Sequence, residues 1–432
     1  MKMFGIQGLN PWNFLFIGVF LAWLANRRRA DLTWDMPRHI SVLLLMYLGV
    51  ILVGVLRAVF DHSNLEGYSL SSLISEELIN KIKWVLPGIL LFDGCRTRRR
   101  VIMALICLLA VYFLISVQVI RFMPLSALGD SGLIDRSRIR LGRYIGYSAC
   151  DLSAMLAGVS WGLLAALPLL RKKKYWVIVL ATAGVVTFGQ ALTGGRAGYI
   201  AWGATGLMLC LLKWRKYLIL APVAVILLPI ILPGVTARML EGFGATNVAG
   251  QKTIDQEELA SGRLLMWPYV IDKISQSPLV GYGRLAMKRT GLYDRIETEH
   301  PGTGAPHPHN MYLETLLDNG LLGSLPILLF WWMVVLYSAR LFRSSNRLFS
   351  AVGGLALSLI LAQLVAGLGS QHFYPEESTL GMWVAIFLSL RVYLEWTKVQ
   401  VGAITVESTT EEQLAQQQVA ISPVRARGTA GW

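Results

Sequence analysis

The chain has 432 residues, 54% of them hydrophobic and 15% charged, and a mean hydropathy of +0.53, a balance that no water-soluble domain of this size shows. Its formal net charge of +14 would suit a nucleic-acid binder, but the basic residues fall in short clusters between apolar runs. That is the pattern of the positive-inside rule, so no nucleic-acid partner is expected.

Apolar runs long enough to cross a bilayer, or nearly so, fall at about 11–26, 39–60, 80–95, 101–121, 149–170, 174–192, 197–212, 217–235, 320–341, 348–369 and 377–396. They predict an all-α polytopic membrane protein of about 11–12 transmembrane helices. No small-residue cleavage site follows the first run, which reads as a retained span and not a signal peptide. The clusters Arg27-Arg28-Arg29, Arg96 to Arg100, Arg171 to Lys174, Lys213 to Lys216 and Arg340 to Arg347 occupy every second connection and mark the cytoplasmic side. With eleven spans the N-terminus faces outward, and with twelve it faces in. Cys95, Cys107, Cys150 and Cys210 stand singly, with no Cys-x-x-Cys pair, which argues against a zinc site, a redox motif or a disulfide framework.

Three outward loops carry polar chemistry. The first, Asp61 to Ile79, holds Glu66, Glu76 and Glu77 without a tight Asp-x-Asp pair. The second, about Phe122 to Ser148, contains Arg136, Arg138, Arg140 and Arg143 against the positive-inside rule, and calls for an anionic partner or for lipid headgroups. The third, about 236–309, is the largest, and its charges nearly cancel, as in a folded lid. Within it Ser261-Gly262-Arg263 opens a stretch with apolar residues at 264, 267, 271 and 274, predicting a helix along the membrane surface, disturbed near Pro268. The lid ends in Pro306-His307-Pro308-His309-Asn310, where Asn310 is a candidate N-cap and Met311, Leu313, Leu316 and Leu317 give an apolar stripe that Asn319-Gly320 ends. The membrane domain then spans 1–396, including the loop 236–309. Residues 397–432, polar and low in complexity, read as a disordered cytoplasmic tail.

The chemistry concentrates in that third loop and its neighbours. His309 at a helix N-terminus is disfavoured as imidazolium, so it stays neutral and suits a general base; the competing reading is a loop histidine that only packs. Arg196, in Thr193-Gly194-Gly195-Arg196-Ala197-Gly198, sits at the outer membrane boundary. Burying such a charge at mid-bilayer costs about 2.5–3.5 kcal/mol, so it needs a partner or a wet cavity, and the flanking glycines leave a concave surface before it. Arg263 opens the lid helix. Several outward guanidinium groups make a site for a diphosphate, most naturally a lipid-linked pyrophosphate, whose departure they stabilise without a metal ion. His309 would take the proton of an acceptor hydroxyl, with His307, Asn310, Tyr312 and Glu314 in support. A metal reading would join His307 and His309 to Glu299 and His300, but the spacing matches no zinc pattern, so no metal or other cofactor is expected. His39, His62 and His372 read as boundary or loop residues. Glu376-Glu377 could contact an acceptor sugar, against the simpler reading of interfacial residues.

These residues resemble the O-antigen ligase and polymerase superfamily of bacterial inner membranes, and within it the ligases. The resemblance rests on the outward Arg196 motif, the run Ser261-Gly262-Arg263 through Trp267 leading to Pro278-Leu279-Val280-Gly281-Tyr282-Gly283, and His309-Asn310-Met311-Tyr312-Leu313-Glu314 with Asn319-Gly320-Leu321-Leu322-Gly323. It covers about 175–325. Around 140–154, where the family often has an arginine and glycine followed by Pro-Asn, this chain has Tyr147-Ser148-Ala149-Cys150-Asp151. The resemblance implies a GT-C-like, metal-independent, inverting glycosyltransferase. It would move O-antigen from undecaprenyl pyrophosphate to lipid A-core oligosaccharide on the periplasmic face of the inner membrane. His309 would match the family's essential histidine, and Arg196 and Arg263 its two essential arginines. An O-antigen polymerase or a protein O-oligosaccharyltransferase is the nearest alternative. A flippase is more distant, since it would bury paired charges within several spans.

Overall fold

The computed structural model describes residues 11–29, 32–61, 65, 68–240, 245–246, 252–253, 263–302, 304–370 and 372–398. His62, Glu66, Ser261, Gly262 and the tail from 399 onward lie outside the described residues. The protein is a multi-pass, all-α membrane protein. Among the described residues the exception to helix and loop is a two-residue antiparallel ladder, Ala245–Thr246 with Lys252–Thr253.

Eleven helices carry the architecture: α1 (Pro11–Arg29), α2 (Arg38–Phe60), α3 (Leu86–Gly94), α4 (Arg98–Phe122), α5 (Ala149–Ala166), α6 (Lys173–Leu192), α7 (Arg196–Leu212), α8 (Arg263–Gln276), α9 (Met311–Arg343), α10 (Arg347–Ala366) and α11 (Glu377–Lys398). By length and composition α2, α4, α5, α6, α9, α10 and α11 can each cross a membrane. The expected run 11–26 forms α1, 19 residues ending in Arg27-Arg28-Arg29 and not among these seven, and three other expected runs fold differently. The run 197–212 forms α7, apolar but only 17 residues long. The run 80–95 is broken at Trp84-Val85, ahead of Pro87 in α3, and 217–235 is divided between Leu220–Ile231, with Pro229 inside it, and Pro233–Met239.

The most buried spans are α10 and α11. Small residues let α10 approach its neighbours: a Cβ on Gly158 or Gly162 of α5 would stand 2.8 Å from the Leu359 Cα or 2.4 Å from the Leu355 Cδ1 of α10. Where lipid removes most of the hydrophobic drive between helices, such close backbone approach is what holds them together. On the other flank Tyr47 of α2, Phe330 of α9 and Trp383 of α11 form an aromatic cluster with ring centroids 5.5–5.7 Å apart.

The ends of these helices sort by charge. At one end Arg27 and Arg96 pair with Asp93, Arg391 and Arg96 meet Asp35, and Lys213 donates to the Phe342 and Ser344 carbonyls. At the other end lie the starts of α5, α7, α9 and α11, the ends of α6 and α10, and the lid. The described part of the lid has a small core of its own, in which Met266 and Val270 of α8 pack with Met287, Leu292 and Ile296. The expected stripe divides: Leu264 and Ile271 are exposed, Trp267 and Ile274 pack against this core, and α8 runs on through Pro268.

Candidate active site

The site is built on a helix that breaks and a loop that repairs it. Gly320 interrupts α9 with φ 58° and ψ −168°, which strands the carbonyls before it and the N–H groups after it. The segment 278–284 supplies the missing partners. The N–H groups of Tyr282 and Gly283 donate to the carbonyls of Leu317 (2.9 Å) and Asp318 (2.6 Å), while Leu321 and Leu322 donate to the carbonyls of Pro278 (2.8 Å) and Leu279 (3.0 Å). The two backbones meet at glycines. A Cβ on Gly281, itself at φ 59°, would stand 2.5 Å from the Gly320 nitrogen, and one on Gly320 would stand 2.4 Å from the Val280 nitrogen. So Asn319-Gly320 does not end the helix; it makes a kink and a socket.

The docked segment delivers Arg284 into the protein. Its guanidinium donates to Glu77 (2.7 Å), Glu314 (2.7 Å) and Asp318 (3.0 Å), and it lies 3.9 Å over the ring of Tyr374. Burial opposes the charge on Arg284, but the three carboxylates outweigh it and hold its pKa well above the usual value. For Glu77, burial is likewise outweighed by Arg284 and Lys81, so its pKa falls. Glu77 is thereby an ion-pair partner set in a turn of π-helix, Ile74–Ile79, while Glu76 is exposed. Neither Arg284 nor this use of Glu77 was legible in the sequence.

Glu314 extends the network to the histidines. Its second oxygen pairs with His372 Nδ1, the His372 ring lies 4.7 Å edge-on from His307, and the His307 ring lies 4.2 Å from His309. His372 therefore belongs to the site, contrary to its reading as a loop residue. The sign available was its place in His372-Phe373-Tyr374-Pro375-Glu376, a short outward turn unusually rich in aromatic and titratable groups. Glu376 pairs with Lys81 at 2.6 Å, and Glu377 is exposed.

His309 precedes the helix as expected. Asn310 caps α9, its Oδ1 accepting from the N–H groups of Tyr312 (3.0 Å) and Leu313 (3.1 Å). His309 itself has φ 50°, unusual for a residue other than glycine, and its N–H donates to His307 Nδ1 at 3.4 Å. Burial first, then His307 and Arg263, lower its pKa to about 4. The same fate meets His307, where burial and His372 lower the pKa to about 4. Both rings are neutral at physiological pH.

The arginines divide. Arg263 opens α8, which is tied to the histidine loop by Trp267 Nε1 donating to the Pro308 carbonyl at 3.0 Å. Burial lowers its pKa, Cys150 opposing and Arg196 adding, so Arg263 interacts electrostatically with both Arg196 and His309. Among the described residues its buried Nε has no hydrogen-bond partner. A buried, unsatisfied guanidinium N–H beside a neutral histidine is a donor awaiting an acceptor. Arg196 is the first residue of α7. Gly194, at φ 70°, turns the chain there, and a Cβ on Gly195 or Gly198 would collide with Ser153 of α5. The turn after α10 closes the space: a Cβ on Gly369 would lie 3.2 Å from that of Ala197 and 3.8 Å from Arg263 Nη1. Arg138 is half-buried and donates to Cys150 Sγ at 3.2 Å, on the side that faces Arg263. Arg136, Arg140 and Arg143 are exposed. Tyr312 donates to the Leu364 carbonyl at 2.9 Å and serves packing.

Glu299 and His300 meet the lid helix α8, where Tyr269 Oη donates to Glu299 (2.5 Å) and contacts His300 (3.1 Å). Among the described residues no group of three or more His, Cys, Asp or Glu is arranged to hold a metal ion.

Comparison with known proteins bears on this region. Residues 180–328 match the family profile described as O-antigen ligase. The match includes Arg196, Arg263, Arg284, His307, His309 and Glu314, and leaves out Glu77, Arg138 and His372. A Rickettsia conorii protein named "Putative polysaccharide ligase" is 22% identical over 246 residues, 55% of this chain and 56% of that protein. One of the same name from Rickettsia felis is 21% identical over 250 residues, 55% and 57% of the two chains, and one from Rickettsia typhi is 26% identical over 147 residues, 33% and 35%. The chain thus aligns with a little over half the length of the first two.

Proposed function

We propose that the chain, whose residues 180–328 match the O-antigen ligase profile, is a glycosyltransferase of polysaccharide assembly. It transfers O-antigen glycan from undecaprenyl pyrophosphate to lipid A-core oligosaccharide, on the periplasmic face of the bacterial inner membrane. The observation that supports this reading is that Arg263, its buried Nε unpartnered among the described residues, bears electrostatically on both Arg196 and an uncharged His309.

In this reaction Arg263 and Arg196 hold the diphosphate and take up the negative charge that grows on it as the anomeric C–O bond lengthens. His309 accepts the proton of the acceptor hydroxyl as its oxygen attacks from the face opposite the leaving group, so the anomeric configuration inverts. No covalent glycosyl intermediate and no metal ion are required. Arg138 stands at the edge as a further phosphate contact, while Arg136, Arg140 and Arg143 face headgroups or the glycan.

Two observations favour an enzyme over a flippase. Among the described residues the buried charges gather at the two ends of the bundle. The buried polar residues between them are uncharged, such as Ser160, Thr205 and Ser358. The test is transfer by purified protein from a lipid-linked glycan to lipid A-core, to a second lipid-linked glycan, or to a protein acceptor. Product on lipid A-core alone is expected. Product on the second lipid-linked glycan would make it a polymerase, and product on protein an O-oligosaccharyltransferase.

A further inference from the structure

The reaction above leaves His372 without a task, yet the turn that carries it is among the best-anchored in the protein. The His372 carbonyl accepts from Gln363 Nε2 at 3.2 Å, and the Phe373 carbonyl accepts from Tyr47 Oη. The Phe373 ring packs edge-on against Tyr312 and Trp331 at 5.3 and 5.5 Å. Tyr374 donates to Asp318 at 2.9 Å and accepts from Asn319 at 2.8 Å, and Glu376 is tied to Lys81. Four successive anchors fix where the His372 ring stands.

We propose that His372 is a positioning residue for the transfer reaction. Paired with Glu314 in an ion-pair stack anchored on Arg284, it presents a cationic ring to His307 and, through His307, keeps His309 uncharged and correctly turned. The proposal rests on His309 being the base.

Charge balance supports it. Arg284 faces the carboxylates of Glu77, Glu314 and Asp318 and Lys81 those of Glu77 and Glu376, so two cations stand against four carboxylates, and His372 is the further titratable group that touches Glu314. The groups facing His372 are Glu314 from α9, Arg284, His307 and His309 from the lid, and Glu376 from its own turn. Burial disfavours its charge, but Glu314 outweighs burial and raises its pKa. The groups facing His309 are His307, Arg263, His372 and Glu314, of which only the last favours a charged ring. Geometry also sets the His307 tautomer: its Nδ1 accepts from the His309 N–H, so its own proton sits on Nε2.

The test is a histidine-selective 15N NMR titration of the full-length protein in detergent, as wild type, His372→Gln and His372→Lys, beside the pH–rate profile of glycan transfer. Wild type is expected to keep His372 protonated at pH 7 with His309 neutral. His372→Gln should raise the His309 midpoint by about one unit and carry the acid limb of the rate with it, and His372→Lys should restore both. A merely structural role would lower the rate at every pH and leave the limb in place. A neutral His372 at pH 7 in wild type, or a His309 midpoint indifferent to His372→Gln, overturns the proposal. The wild-type spectrum decides even where the variants fail to fold. Because the titration needs no substrate, a wild-type protein without transferase activity would remove the reaction and still leave the charge of His372 measured.

Discussion

A single buried arginine organises this site more than any residue that touches substrate in the proposed reaction. Arg284 reaches Glu77 across 207 positions and Glu314 across 30, and it is what makes those carboxylates tolerable inside the protein. Removing one partner of such a set leaves uncompensated charge, so Arg284→Gln should lower stability by about 3–5 kcal/mol, read as a fall in Tm in detergent. His309 makes a different kind of prediction. Its neutral form is the competent base and its pKa is lowered to about 4, so transfer should be flat around neutral pH and fall only as pH drops through about 4. A pH–rate profile with a limb near 6.5 would mean that burial and Arg263 do not act on it. The local placement of His309, Arg196 and Arg263, each beside a turn or helix start, was legible in the neighbouring residues. Arg284 and His372 were not, because their meaning lies in partners brought from remote loops, and a linear reading gives no pairing of one charge with another.

At the level of elements, the interlock between segment 278–284 and the kink in α9 decides whether the site assembles. Both backbones need glycine where they cross: Gly281 and Gly320 have positive φ, and each has backbone atoms within 2.6 Å of where a Cβ would lie. Gly320→Ala should cost about 1–3 kcal/mol or more and displace Arg284, lowering Tm and transfer together. A variant as stable and active as wild type would mean that the kink is incidental. The helix at 311 and its Asn310 cap followed from local chemistry. The orientation of α8 did not, because that helix carries apolar residues on two sides. Of the stripe that periodicity picked out, Leu264 and Ile271 are exposed, while Trp267 and Ile274 pack with Met266 and Val270 on the lid core.

At the scale of the molecule, hydropathy located all seven span-length helices among the described residues, and the basic clusters located one set of their ends. What it could not tell was which runs are broken, since Pro87 and Pro229 act on backbone geometry and leave hydropathy unchanged. If the basic end is cytoplasmic, a cysteine placed at Asp294 in the lid should react with a membrane-impermeant maleimide in intact cells whose outer membrane has been opened. One at Lys172 should react only after the inner membrane is breached. The reverse pattern would put the site in the cytoplasm, away from any periplasmic glycan.

The most direct measurement is donor binding and single-turnover transfer, followed in one experiment with lipid-linked glycan and the Arg196→Ala, Arg263→Ala and His309→Ala proteins. Each arginine variant is expected to bind donor about ten- to a hundredfold more weakly. His309→Ala should bind it as wild type does yet turn the bound donor over about 10²–10⁴-fold more slowly. Donor bound to His309→Ala and transferred at the wild-type rate, or arginine variants that bind it unchanged, would contradict the account.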